Sequence, residues 1–212
     1  MKKLLISILA SLFVASYAHA ASLGGLYFEL GSSAVGVEMD GNFNDDDSDV
    51  SYGTVGKTAV TGSYGLGFMT SRENPLSLDL GYTWSPGNAK IKATSNDSST
   101  DATLEVSDAT EWYVAAMANI TEDASVYFKY GGNDADITVT GDINNPGGLS
   151  GTTVALGTVM SWGSNMYIRT EAGKTDYDQI SATGKGTNIG TDVKVTADPT
   201  IHYGRIAIGF KF

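Results

Sequence analysis

The chain has no cysteine, only 4 prolines, and 13 Lys+Arg against 24 Asp+Glu. Without cysteine there is no disulfide framework and no thiolate metal centre. Scarce cations and a formal net charge of −11 exclude nucleic acid as a partner, because grip on a phosphate backbone needs clustered Lys and Arg. Beyond the first twenty residues no stretch approaches 18 consecutive apolar residues, which excludes a helical membrane protein. Low proline beside 26 glycines suits a sheet with crowded backbones, where each proline would forfeit a ladder hydrogen bond.

What is present begins with "MKKLLISILASLFVASYAHA". Two lysines, an apolar run and Ala18-His19-Ala20 in the small-x-small pattern predict a secretory signal over residues 1–20. An apolar run of roughly 12 residues falls short of the ~20 that a helical span needs. Residues 21–212 then form one domain, long enough for a single core.

Alternation of period two, with no convincing helical period, predicts eight strands near 25–38, 57–70, 76–85, 104–120, 125–132, 151–162, 165–174 and 200–212. Their connections alternate strictly. Long Asp/Asn/Ser/Gly-rich links such as "DGNFNDDDSDVSYGTV" follow odd-numbered strands, and short ones, "SRENP", "TEDAS" and "GSN", follow even-numbered ones. One face of every strand is free of charge, as in Leu76, Leu78, Leu80, Tyr82 and Trp84. The opposite face is rich in Gly, Ala, Ser and Thr and carries Glu29, Asp79, Glu111, Lys129, Arg169, Glu171, Arg205 and Lys211.

Two architectures use such a two-faced sheet: a soluble barrel with the apolar face inward, or a membrane barrel with it outward. Small side chains decide between them, since a solvated surface favours long charged residues while the narrow lumen of eight strands needs small ones beside each large one. The fold class is therefore all-β, a transmembrane eight-stranded antiparallel up-and-down β-barrel. Phe68, Trp84, Trp112 and Trp162 fall at strand ends, the positions of an aromatic girdle at the two lipid–water interfaces. Inside, Glu29, Asp79, Lys129, Arg169, Glu171 and Arg205 form an ion-pair network, because a poorly hydrated charge must be paired. That network is a structural plug or, alternatively, a gate whose pairs exchange to admit small ions. An open diffusion pore needs many more strands.

The sequence resembles the small eight-stranded outer-membrane barrels of Gram-negative bacteria, similar to the transmembrane domain of outer-membrane protein A and the opacity-type surface proteins. The terminal alternation Ile206, Ile208, Phe210, Phe212 looks like that group's assembly signal. The resemblance implies a monomer among outer-membrane lipids and lipopolysaccharide, both mature termini periplasmic, with the barrel-assembly machinery as its partner during biogenesis. It implies a non-enzymatic role in stabilising the envelope or displaying loops. The alternatives are a small channel for ions or hydrophobic solutes and, less favoured, a lipid-modifying enzyme.

No cofactor is called for. His202 is the one histidine beyond the signal, and the residue two places on is Gly204, so no hydroxyl stands ready for activation. The acidic stretch "DGNFNDDDSD" departs from the calcium loop of an EF-hand at Asp45, where glycine is required, and at Ser51, where glutamate is. Asp45, Asp47 and Asp49 retain a capacity to gather a weakly held divalent ion at the cell surface.

Overall fold

The computed structural model describes residues 24–45, 48–93, 102–141, 143–185 and 194–212; the expected signal at 1–20 lies outside them. Ten strands follow one another: β1 (Gly25–Asp45), β2 (Ser48–Met69), β3 (Leu76–Ser85), β4 (Ala89–Ala93), β5 (Ala102–Asn119), β6 (Ala124–Thr140), β7 (Gly148–Trp162), β8 (Met166–Tyr177), β9 (Ile180–Thr183) and β10 (Lys194–Lys211). All pair antiparallel in the order β1-β2-β3-β5-β6-β7-β8-β10, and β10 returns to β1 with Phe210 opposite Phe28 and Ile208 opposite Leu30. β4 continues the stave of β3 along β5, and β9 that of β8 along β10. The barrel thus has eight staves and is closed, as the alternation predicts.

Three short turns join β2 to β3, β5 to β6 and β7 to β8. Thr121 shows how such a turn is fixed locally: its hydroxyl accepts hydrogen bonds from the backbone of Asp123 at 3.2 Å and Ala124 at 2.9 Å. Gly163, at φ 76°, supplies the left-handed residue of the third turn.

At the other end the structure departs from the sequence-based expectation. Much of the described part of the polar links is strand rather than loop: Asp40 pairs with Thr54 and Asn42 with Tyr52 in the β1–β2 hairpin, and β6 runs on to Thr140. The physical reason is visible along β6. Asp134, Asp136 and Thr138 point outward and are exposed, while Ala135 and Ile137 between them are buried inside with Val37, Leu149 and Tyr177. Above the belt the barrel is built the way a water-soluble one is, apolar in and polar out.

Below, the same strand is reversed. Val126, Phe128 and Tyr130 face outward, joined around the wall by Leu80, Leu156 and Ile206, each more than half exposed. Tyr127 and Lys129 face inward and are buried. From Leu76 to Trp84 this apolar belt extends about 26 Å along β3 at ~3.3 Å per residue. A strand tilt of 35–45° makes that about 20 Å of height, somewhat less than the ~25 Å apolar band of a membrane barrel.

Two irregularities matter for the lumen. In β5 the register shifts between Ser107 and Thr110, with Asp108 at φ 51°. Below this bulge the odd-numbered Glu111, Tyr113, Ala115 and Met117 face inward; above it Val106 does. An extra residue restores an apolar inner face that strict alternation would have turned outward. The second irregularity is a short ladder. β2 pairs with β3 only from Met69–Asp79 to Tyr64–Trp84, and beyond Tyr64 it has no hydrogen-bonded neighbour on that side among the described residues. Pro86 follows the last residue of β3 there, and Gly87 packs against Thr61 across the gap.

Candidate functional site in the barrel lumen

Neighbouring staves aim their charges at one another across the belt. The Arg169 guanidinium on β8, fully buried, meets Glu29 Oε2 at 2.9 Å and Asp79 Oδ2 at 2.6 Å. Its third nitrogen donates to the Tyr113 hydroxyl at 3.2 Å. Four tyrosine rings, Tyr27, Tyr113, Tyr127 and Tyr167, surround it with centroids 5.2 to 5.9 Å away, a cation–π cage that partly replaces water. Glu29 also accepts from Arg205 Nη2 at 2.7 Å and from the Tyr167 hydroxyl at 2.9 Å. Tyr27 donates to Asp79 at 2.7 Å and shares a hydrogen bond with Tyr113, also 2.7 Å.

A second tier lies on the long-hairpin side. Lys129 Nζ donates to Glu171 at 2.5 Å and to Glu111 at 3.0 Å. Glu171 accepts further from Tyr127 at 2.6 Å and Tyr203 at 2.7 Å. Space for these rings comes from glycine on the adjacent stave: Tyr27 lies over Gly67 and Tyr167 over Gly209, where a β-carbon would overlap the ring. Buried ions in such a layer are held by mutual pairing, and removing one partner costs about 3–5 kcal/mol because the other is left bare.

The structure brings together all six residues expected in the lumen, with Asp79 joined to Arg169 and Lys129 joined to Glu171. Sequence reasoning placed Glu111 on the inner face but did not enlist it in the network, and it did not single out the tyrosines. Parity alone could have enlisted Tyr27, Tyr113, Tyr127 and Tyr167, since each alternates with outward apolar residues, whereas Tyr203 lies between His202 and Gly204.

The remaining sequence-derived sites are dispersed. Trp84 and Trp112 stand outward at the long-hairpin edge of the belt, with Tyr64 edge-on to Trp84 at 4.7 Å. Phe68, half-buried, and Trp162, exposed, lie toward the short turns. Ile206, Ile208, Phe210 and Phe212 face outward on β10, and the Phe212 amide donates to Leu26 O at 3.0 Å. His202 is exposed on the outer wall opposite Gly36 and Lys174. Asp45 ends β1 and pairs with Ser48, and Asp49 lies within β2, so these residues belong to the β1–β2 hairpin; Asp47 is outside the described residues.

At the short-turn mouth, buried Arg72 donates to Ser161 Oγ at 3.2 Å. Burial lowers the proton affinity of its guanidinium, and the nearby Asp123 carboxylate opposes that shift.

No family model matches this chain, and no curated protein sequence does. Solved structures do. The outer membrane protein OprG from Pseudomonas aeruginosa superposes with a TM-score of 0.62 at 14% identity, over 91% of this chain and 97% of that one. The outer membrane protein AlkL, determined by solid-state NMR in DMPC bilayers, superposes with a TM-score of 0.56 at 14% identity, over 93% and 95%. The chain has the fold of the small eight-stranded outer-membrane β-barrels.

Proposed function

We propose that this protein resides in the outer membrane of a Gram-negative cell as a non-enzymatic barrel with a plugged lumen. Its role is to stabilise the envelope and to present paired hairpins to the outside. The observation that carries this reading is the reversal of polarity along single strands: Phe128 and Tyr130 face outward beside buried Lys129, and further along β6 Ile137 is buried beside exposed Asp136 and Thr138. Only hydrocarbon around the lower wall and water around the upper one make both arrangements stable.

Both mature termini then lie in the periplasm, beside the short turns. Phe212, Phe210, Ile208 and Ile206 serve as the assembly signal read by the barrel-assembly machinery, and Trp84 and Trp112 meet lipopolysaccharide at the outer interface. The barrel works as a monomer. Glu29, Asp79, Lys129, Arg169, Glu171 and Arg205 act as the plug, since their charges are matched across the lumen at distances of 2.5 to 2.9 Å.

Single-channel recording in planar bilayers tests the plug: no conductance steps are expected, and steady openings of the native protein would replace it with an ion channel. Mass analysis of lipid A from cells with and without the protein tests the absence of lipid-modifying activity, with identical spectra expected. A cavity reaching the ionic layer from the long-hairpin side is the observation that favours the channel as second reading.

A further inference from the structure

Above the ionic layer the lumen holds a cavity of about 100 Å³. Glu111, Glu171 and Arg205 contribute to its floor, and Val37, Val106 and Ile201 to its roof. The wall between them includes Ser63 and Thr83, beside the gap where β2 and β3 part.

Charge is divided unevenly over that floor. In the lower tier two carboxylates, Glu29 and Asp79, meet two guanidinium groups, Arg169 and Arg205. In the upper tier Glu111 and Glu171 share the single ammonium of Lys129. Among the described residues the other buried cations, Arg72 and Lys211, belong to the short-turn end, beyond the layer. One carboxylate charge is therefore unmatched beside the cavity, and it falls to Glu111. Glu171 accepts from Lys129, Tyr127 and Tyr203, whereas Glu111 accepts from Lys129 alone. Glu111 Oε1 is 2.9 Å from that ammonium yet takes no hydrogen bond of acceptable geometry.

Ser63 supplies an independent sign of a missing ligand. It is buried, lines the same cavity, and its hydroxyl has no partner among the described residues. Thr83 stands directly across the ladder from Glu111. Arg205 Nε is also unpartnered, but it lies next to Ser63 over Gly31 and its charge is met by Glu29.

The geometry points to a binding site for a small protonated amine, with its ammonium on Glu111 and its short apolar tail beneath Val37, Val106 and Ile201. An ammonium has three N–H donors, and Glu111, Ser63 and Thr83 are three oxygen-bearing side chains lining one cavity. Its single charge matches the single excess carboxylate. A metal ion fits poorly, because among the described residues no three His, Cys, Asp or Glu side chains converge and an apolar roof disfavours a hydrated inorganic cation. The site goes beyond the structural role proposed above, and its occupancy can be read whether or not the lumen conducts.

The test uses the full mature barrel in lipid nanodiscs with methyl-labelled Val and Ile, titrated with n-butylammonium. Saturable shifts are expected at Val37, Val106 and Ile201, with none at Val60, which faces outward on the wall. The uncharged n-butanol should bind at least tenfold more weakly. Glu111→Gln should abolish saturation while leaving Lys129 its bond to Glu171, with folding checked by heat-modifiable gel migration. If that variant does not fold, Ser63→Leu, which fills the cavity, must abolish the shifts instead. Equal binding of butanol, saturation that survives both substitutions, or no saturable shift in the native barrel would each overturn the site.

Discussion

The lower and upper halves of this barrel share the same staves, yet they are organised to opposite plans. In the belt the inner face holds Arg169, Glu29 and Asp79 at 2.6 to 2.9 Å, and the outer face is apolar. Above it the inner face holds Val37, Ile137 and Leu149, and ion pairs such as Lys174–Asp176, at 2.7 Å, sit on the outside. Similar distances carry very different weight. The exposed pair is worth about 0–1 kcal/mol, whereas breaking the buried one costs about 3–5 kcal/mol. What a side chain contributes here depends on the surroundings its height assigns it, not on its residue type.

The largest break of that contrast is Arg169→Met. It strands Glu29 and Asp79 without their guanidinium, and urea unfolding in lipid vesicles should show a loss of about 3–5 kcal/mol. Adding Asp79→Asn to that variant should recover part of the loss, since fewer bare charges remain.

Next comes a paired measurement on the outer wall. Leu80→Arg, in mid-belt, should cost about 2–4 kcal/mol, while Thr138→Arg, exposed on β6 above it, should stay within about 0.5 kcal/mol. Equal costs at the two heights would erase the boundary between the halves.

Ile137→Ala addresses the upper core. It should cost about 2 kcal/mol or somewhat more, but hydrogen exchange should accelerate in β6 above Asn133 and leave Val126 to Tyr130 protected. A uniform loss of protection along the whole strand would show that the two halves fold as one unit.

The smallest effect is expected at Asp176. Its carboxyl is held below the usual carboxylate range chiefly by the hydrogen bond from Lys174. A lowered folded-state value contributes stability above the unfolded carboxylate range and loses it as pH falls through the lowered value. Because the pair is largely exposed, Lys174→Ala should change stability by under about 0.5 kcal/mol and flatten the acid limb only slightly.

The belt was legible because lipid imposes a rule without exceptions: no charge outward, and period two reveals which face that is. Leu76 to Trp84 could be read residue by residue. The upper hairpins were not, because water accepts Asp, Asn and Ser equally well on a strand or in a loop, and "GNDADITVTGDINNPGG" carries its strand signal only in Ala135, Ile137 and Val139. Membership of the ionic layer followed from parity. Partner choice did not, since whether Asp79 or Glu171 sits level with Arg169 depends on the stagger of tilted strands, which no local pattern encodes. Nor does spacing reveal the bulge at Asp108, which swaps the faces of β5 within three residues.

The short ladder between β2 and β3 gives the cylinder a mechanical anisotropy. A hoop under outward pressure parts at its weakest joint, and above Tyr64–Trp84 seven joints are laced while the eighth has no ladder among the described residues. Swelling of the upper rim is thereby channelled to one meridian, so the vessel yields like a cuff with a slit rather than a ring.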